Sequence, residues 1–285
     1  MRYGFVLPGG TAAEQIEQAV LADEAGWDGV FVWEAAYGVD AWTLLAAMSQ
    51  RTTRVRLGTM LTPLPWRRPW KVASQAVTLD HVSGGRAVLA VGLGAVDTGL
   101  GRTGEVTDRR TRAEMLDEGI DVITGLWDGR LRFAGRHYDL DLGARKDLAA
   151  VATPVQRPRI PLWVVGAWPR PKSMRRVLRC DGLLPVCMDE SGFRATRPDD
   201  VGAMLGWLEE HGGVRPGFDV VMEGETPADD HAGAGAIVAP WAEAGCTWWL
   251  EARWQLPPGS DPMRQVRDRL EAGPPRPALE LPISE

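Results

Sequence analysis

The chain has 285 residues, 45% of them apolar and 25% charged, with a formal net charge of −6. This is ordinary globular composition, and the length suits one α/β barrel or two smaller domains. The acidic balance argues against a general nucleic-acid or acidic-membrane binder, and no apolar stretch approaches the ~20 residues needed to cross a bilayer.

Met1-Arg2-Tyr3 leads straight into a strand-like run with no signal-peptide pattern, so a cytoplasmic protein is expected. Eight short apolar runs follow one another: Tyr3–Leu7, Gly29–Trp33, Val55–Thr59, Ala87–Val91, Pro161–Val165, Gly182–Val186, Phe218–Met222 and Cys246–Leu250. Each is rich in Val, Leu, Phe or Trp, and each ends near Gly, Pro, Asp or Glu. The segments between them keep helical spacing. Ala13, Ile16 and Val20 share a face, as do Trp70, Ala73 and Val77. Leu116, Ile120, Ile123 and Trp127 form a longer stripe, followed by Val201, Met204, Leu205 and Leu208, and by Met263, Val266 and Leu270. Gly26, Gly84, Gly129, Gly212 and Gly245 stand where such helices would stop.

Strand–helix alternation repeated eight times predicts a parallel sheet closed into a single-domain (β/α)8 TIM barrel over residues 1–272. A doubly wound open sheet is the structural alternative, usually with fewer strands at this length. Residues 273–285, with Pro274, Pro275, Pro277 and Pro282, predict an extended surface tail. Two connections are long enough to be insertions: Val96–Arg110 after strand 4, and Asp128–Arg159 before strand 5. The second contains a hairpin pattern at Leu131–Tyr138. Cys180, Cys187 and Cys246 are scattered and lack a CxxC spacing, which predicts buried thiols in a reducing compartment. His81, His137, His211 and His231 show no metal-ligand spacing, so no metal is expected.

The run from Ser83 to Ala95 carries the most information. A small-residue turn precedes a solid apolar strand, which opens into Gly92-Leu93-Gly94. Glycines just past a strand let a flat ligand lie against the main chain, because there is no Cβ to hold it off. A Rossmann fingerprint would need a third glycine where Asp97 stands. In the fifth unit, Trp163-Val164-Val165-Gly166-Ala167-Trp168-Pro169 passes into a basic segment with Arg170, Lys172, Arg175 and Arg176. Main-chain N–H groups at Gly166 and Ala167 would suit a phosphate; a solvated basic helix face is the competing reading. Glu34, Glu223 and Glu251 fall at the ends of strands 2, 7 and 8, where a barrel places its chemistry. One of them could act as an acid or base, and each could equally serve as a structural hydrogen-bond acceptor.

The strings Arg54–Trp70, Asp80-His81-Val82-Ser83-Gly84-Gly85-Arg86 running into Val91–Gly94, and Pro161–Trp168 together resemble the luciferase-like monooxygenase family. The likeness covers roughly residues 3–255. It implies a (β/α)8 barrel that binds reduced FMN or the deazaflavin F420 noncovalently at its C-terminal mouth and acts on a small organic substrate. By resemblance, Thr59 and Met60 lie under the ring at a bulge that often holds a non-proline cis peptide. Gly92 and Gly94 flank the cofactor, and Gly166, Ala167 and Trp168 lie near its phosphate. A homodimer is compatible with it. Many members carry an acid–His pair after strand 2, whereas this chain reads Glu34-Ala35, which shifts proton handling to Glu34 or another strand-end group. Two rival readings stand beside this one. One is a barrel glycosidase built on Glu34, Glu223 and Glu251. The other is a non-catalytic binding protein.

Overall fold

Each of the eight apolar runs forms a strand in the computed structural model, which describes residues 1–96, 102–144, 153–254 and 262–275. The strands are β1 (Arg2–Leu7), β2 (Gly29–Val32), β3 (Arg56–Thr59), β4 (Ala87–Gly92), β5 (Leu162–Trp168), β6 (Gly182–Asp189), β7 (Asp219–Gly224) and β8 (Trp248–Ala252). Neighbours pair in parallel around the whole circle, from Gly4 opposite Gly29 to Arg2 opposite Trp248. The sheet therefore closes, and the open-sheet alternative falls. Helices α1 (Ala12–Glu24), α2 (Ala41–Ser49), α3 (Pro69–Val82), α4 (Arg109–Trp127), α5 (Pro171–Val177), α6 (Pro198–Glu210), α7 (His231–Glu243) and α8 (Pro262–Glu271) follow the strands in turn.

Local chemistry sets the helix starts. Thr11 and Glu14 form a capping box at α1, and the carboxylates of Asp40, Asp108 and Asp230 accept main-chain N–H groups at α2, α4 and α7. Pro69 occupies the first turn of α3, where no N–H is missed.

Aromatic rings plug the barrel. Phe31, Trp163 and Trp248 are fully buried, with ring centroids 5.4 to 6.0 Å apart. The rings fit because their neighbours are glycines: a Cβ on Gly4 or Gly29 would come within 2.9 Å of the Phe31 ring. A second, larger apolar layer lies between the outer wall and the helices, and includes Leu7, Val32, Leu57, Leu89, Val164 and Leu183.

The Asp80–Arg86 string sits at the opposite end of the barrel from the mouth, at the start of β4. The buried Asp80 carboxylate accepts the N–H groups of Val155 (2.6 Å) and Gln156 (3.1 Å) and the Gln156 side-chain amide (2.8 Å). The Arg86 guanidinium donates to the carbonyls of Ser49, Thr52, Val55 and Ser83 and to the Thr52 hydroxyl. This is a clamp on the N-terminal rim, where barrel residues serve stability rather than chemistry.

The expected hairpin is present as Arg132–Ala134 paired with Asp139–Asp141. Its turn docks on α4, where Glu118 accepts three successive N–H groups from Arg136, His137 and Tyr138. Residues 97–101 and 145–152 of the two insertions, and residues 276–285 of the expected tail, lie outside the described residues. β5 and β6 run three residues beyond their expected ends. In β5 the reason is Gly166: its missing side chain makes room for Leu183, Val177 and Met174, so the glycine lies within the strand and does not end it.

Candidate active site

At the end of β3 the chain bulges through a cis peptide between Met60 and Leu61, then Thr62-Pro63 returns to pair with Val91-Gly92 of β4. Thr59 is buried behind this bulge, with its hydroxyl 2.9 Å from that of Thr62. The Thr62 hydroxyl donates to Glu34 (2.7 Å), and the other Glu34 oxygen forms an ion pair with Arg67. Arg67 is held in turn by Gln75 (2.8 Å). The Glu34 side chain is only 5% exposed. It braces the bulge from behind, and its charge is already matched. Met60, by contrast, belongs to the inner layer of the barrel.

The two glycines after β4 differ. A side chain on Gly92 would point between Leu61 (2.9 Å) and Val165 (3.1 Å), into the barrel's upper interior. Gly92 is itself buried, and these two side chains crowd the place a Cβ would take. Gly94 has φ +77°, and its Cβ would lie 2.5 Å from the Trp66 ring and 2.7 Å from Pro63. It serves the turn and the packing of the loop. Arg112 of α4 locks that loop: it donates to the carbonyls of Leu93 (3.0 Å) and Gly94 (2.8 Å) and lies over the Trp66 ring. Trp66 also donates to the Val106 carbonyl (2.8 Å), which anchors the far side of the strand-4 insertion.

The fifth unit corrects an expectation. Gly166 faces the helix layer, and the Ala167 N–H donates to the Ser173 hydroxyl (2.9 Å). Both residues lie within a strand paired to β6, with Gly166 opposite Pro185, so they form no open cradle of N–H groups for a phosphate. Part of the basic segment is structural as well: Arg176 pairs with Asp117 of α4 at 2.8 Å. Arg170 and Lys172 remain exposed.

The remaining two carboxylates part company. Glu223 alternates with Val221, whose side chain packs inside the barrel, so Glu223 lies on the inner face near the end of β7. Its carboxylate accepts one hydrogen bond, from the Trp254 indole at 3.0 Å, and burial raises its pKa above the ordinary carboxylate range. Glu251 sits between the inward Leu250 and Ala252 and points out of the wall instead. It is fully buried, accepts the Thr226 N–H (2.9 Å) and hydroxyl (2.7 Å), and lies beside Arg253 and Arg269. Thus it ties the β7–α7 loop to α8 and is turned away from the mouth.

A model of the luciferase-like monooxygenase family matches residues 2–202. The chain belongs to this family. It is 33% identical over 244 residues to a putative coenzyme F420-dependent oxidoreductase of Mycobacterium tuberculosis, covering 79% of this chain and 65% of that one. The chain spans 34% to 65% of the length of the curated relatives it matches. Among solved structures, an F420-dependent secondary alcohol dehydrogenase in complex with an F420-acetone adduct matches with a TM-score of 0.73 at 19% identity, covering 95% of this chain and 97% of that one. The oxygenating constituent of 3,6-diketocamphane monooxygenase from Pseudomonas putida, in complex with FMN, matches with a TM-score of 0.61 at 20% identity, covering 84% and 71% of the two chains. Both likenesses show the same fold.

In this luciferase-like chain, Met60, Gly92 and Glu223 come to the upper, inner part of the barrel, Thr59 and Glu34 brace it from behind, and Glu251 faces elsewhere. Arg67, Arg112, Trp66 and Trp254 escaped the sequence reading. Their signal was faint: an arginine and a tryptophan in a proline-rich loop, an arginine in the first turn of α4, and a tryptophan two residues beyond a strand. Among the described residues, no group of His, Cys, Asp or Glu could hold a metal ion, and no helix is long and apolar enough to cross a membrane.

Proposed function

We propose that the chain is an oxidoreductase that holds F420 or FMN noncovalently across its C-terminal mouth and acts on a small organic substrate. Membership of the luciferase-like family over residues 2–202 carries this reading. The residues present fit such a ring. Gly92 brings the main chain close to Leu61 and Val165 on the upper inner face, where a Cβ would crowd both. Met60, Leu61, Gly92 and Val165 would hold the ring, whereas Trp168 at the end of β5 packs against the outer, helix-facing layer. The bound cofactor supplies two-electron chemistry that no side chain can.

The protein's own part is positioning and proton handling. Thr59, Thr62, Glu34 and Arg67 hold the bulge in place. Glu223 is the strand-end carboxylate suited to acid–base work: it faces inward, and burial raises its pKa. The glycosidase alternative is not supported, since Glu34 is ion-paired and Glu251 points away, which leaves no facing pair among the three strand-end carboxylates. Three free buried cysteines suit a cytoplasmic setting, and we keep the homodimer as a proposal that light scattering would decide. Parallel spectroscopic titrations of the purified protein with F420 and FMN test the reading. Saturable binding of at least one supports it, and binding of neither overturns it.

A further inference from the structure

Glu223 and Trp254 meet where β7 and β8 end. In the parallel pairing of these strands Glu223 lies opposite Leu250, and β8 stops at Ala252. Trp254 stands beyond that end, about 13 Å past Leu250 had the chain stayed extended. Its side chain reaches back instead and places the indole N–H 3.0 Å from Glu223 Oε2. The neighbouring residue fixes the turn. Arg253 is directed outward, donates to the Thr226 carbonyl (2.9 Å) and lies 3.5 Å from the Glu251 carboxylate. Trp254 is 51% exposed, so burial of its apolar surface does little to hold it there, while Glu223 is half-buried.

We propose that Trp254 is a positioning residue for Glu223: its indole holds Oε2 and leaves Oε1 as the oxygen that carries the exchangeable proton. An indole N–H can only donate, so it occupies Oε2 in both protonation states of the carboxyl, where a hydroxyl or a water would turn and accept. Among the described residues, Oε1 accepts no hydrogen bond. The indole bond favours the carboxylate and opposes burial, which favours the neutral acid. The charged and titratable groups on the elements around Glu223 are engaged elsewhere. Glu251 and Arg253 on the β8 side are turned outward, and Glu225 beyond β7 is exposed. Cys187 of β6 lies in the outer layer, Asp189 at the end of that strand accepts from Ser191, and Arg109 of α4 donates to the Met188 sulfur (3.2 Å). Loss of the indole donor therefore leaves burial unopposed. The use made of the proton rests on the acid–base work proposed for Glu223.

The test reads Glu223 directly, in the full chain without cofactor. Glutamate labelled with ¹³C at Cδ reports each carboxyl by NMR, and Glu223→Gln identifies the line that belongs to Glu223. Trp254→Phe and Trp254→Leu both keep apolar bulk and lose the donor. The position is exposed, and either variant decides if the other fails to fold. In each, the titration midpoint of Glu223 should rise by at least about half a pH unit. Trp33→Phe removes an indole donor that is bonded to the Pro8 carbonyl instead, and should leave the midpoint in place. A smaller rise or a fall in the folded Trp254 variants, or an equal rise in Trp33→Phe, would overturn the proposal. If neither F420 nor FMN binds but the midpoint rises as expected, Trp254 still positions Glu223 and the assigned chemistry falls. If a cofactor binds and the midpoint stays, the positioning role alone falls.

Discussion

Glu34 and Glu223 are the same side chain at two strand ends, with opposite surroundings. Glu34 accepts a hydroxyl proton from Thr62 and faces Arg67, so its carboxylate is compensated. Glu223 receives one indole N–H in a buried setting, and burial favours its neutral form. Glu223→Gln should leave cofactor affinity within about threefold and lower turnover ~10²-fold; unchanged turnover would remove Glu223 from proton handling. Its raised pKa also fixes the sign of a stability effect. The folded state binds the proton more tightly than the unfolded chain, so wild-type stability falls as pH rises from the ordinary carboxylate range through the raised value. Denaturant melts across that window should show the slope in wild type and its loss in Glu223→Gln. Glu34→Gln should act on the fold instead. It leaves the Arg67 guanidinium facing a neutral amide, and because burial already lowers the Arg67 pKa, the unpaired charge is costly. Removal of one partner from such a pair should destabilise by about 3 kcal/mol. A loss below about 0.5 kcal/mol would show that solvent screens the pair.

At the scale of elements, the strand-4 loop and the lower clamp make separable predictions. Gly94→Val forces a branched side chain into φ +77° and against the Trp66 ring at 2.5 Å. The cofactor-free protein should lose about 3 kcal/mol of stability; an unchanged melt would return Gly94 to a purely ligand-facing role. Arg86→Met removes five donated hydrogen bonds at the barrel's lower rim. It should also cost about 3 kcal/mol, with cofactor affinity unchanged in the folded fraction. Loss of affinity without loss of stability would contradict the division between the two ends. Much of this scale was legible in the sequence. The eight strands showed because buried parallel strands are continuous apolar runs, and α4 showed because Leu116, Ile120, Ile123 and Trp127 keep one face. The site was only partly legible. Gly92 and Gly94 look alike as letters, yet only φ and the neighbouring ring separate a glycine on the strand's inner face from a turn glycine. Gly166 read as a loop residue because its real constraint, Leu183 on the next strand, is distant in sequence. Glu251 read as a mouth residue because strand parity depends on register, and one position separates inward from outward.

In the whole molecule, stability and the proposed chemistry are divided along the barrel axis. The Asp80–Arg86 clamp and the aromatic plug of Phe31, Trp163 and Trp248 provide stability below. The Met60–Leu61 bulge, Gly92 and Glu223 form the proposed working end above. The central claim is that a flavin-type ring lies beside Gly92, Leu61 and Val165 at the upper inner face of the barrel. Equilibrium titration of wild type and Gly92→Ala with F420 and FMN tests it most directly, because the nearest atoms to the added methyl belong to the side chains of Leu61 and Val165, at 2.9 to 3.1 Å. The account predicts saturable binding of at least one cofactor to wild type. It predicts affinity at least tenfold weaker in the variant, about 1.4 kcal/mol, with a smaller change in cofactor-free stability. Equal affinity in the two proteins, or no binding of either cofactor to wild type, would contradict it.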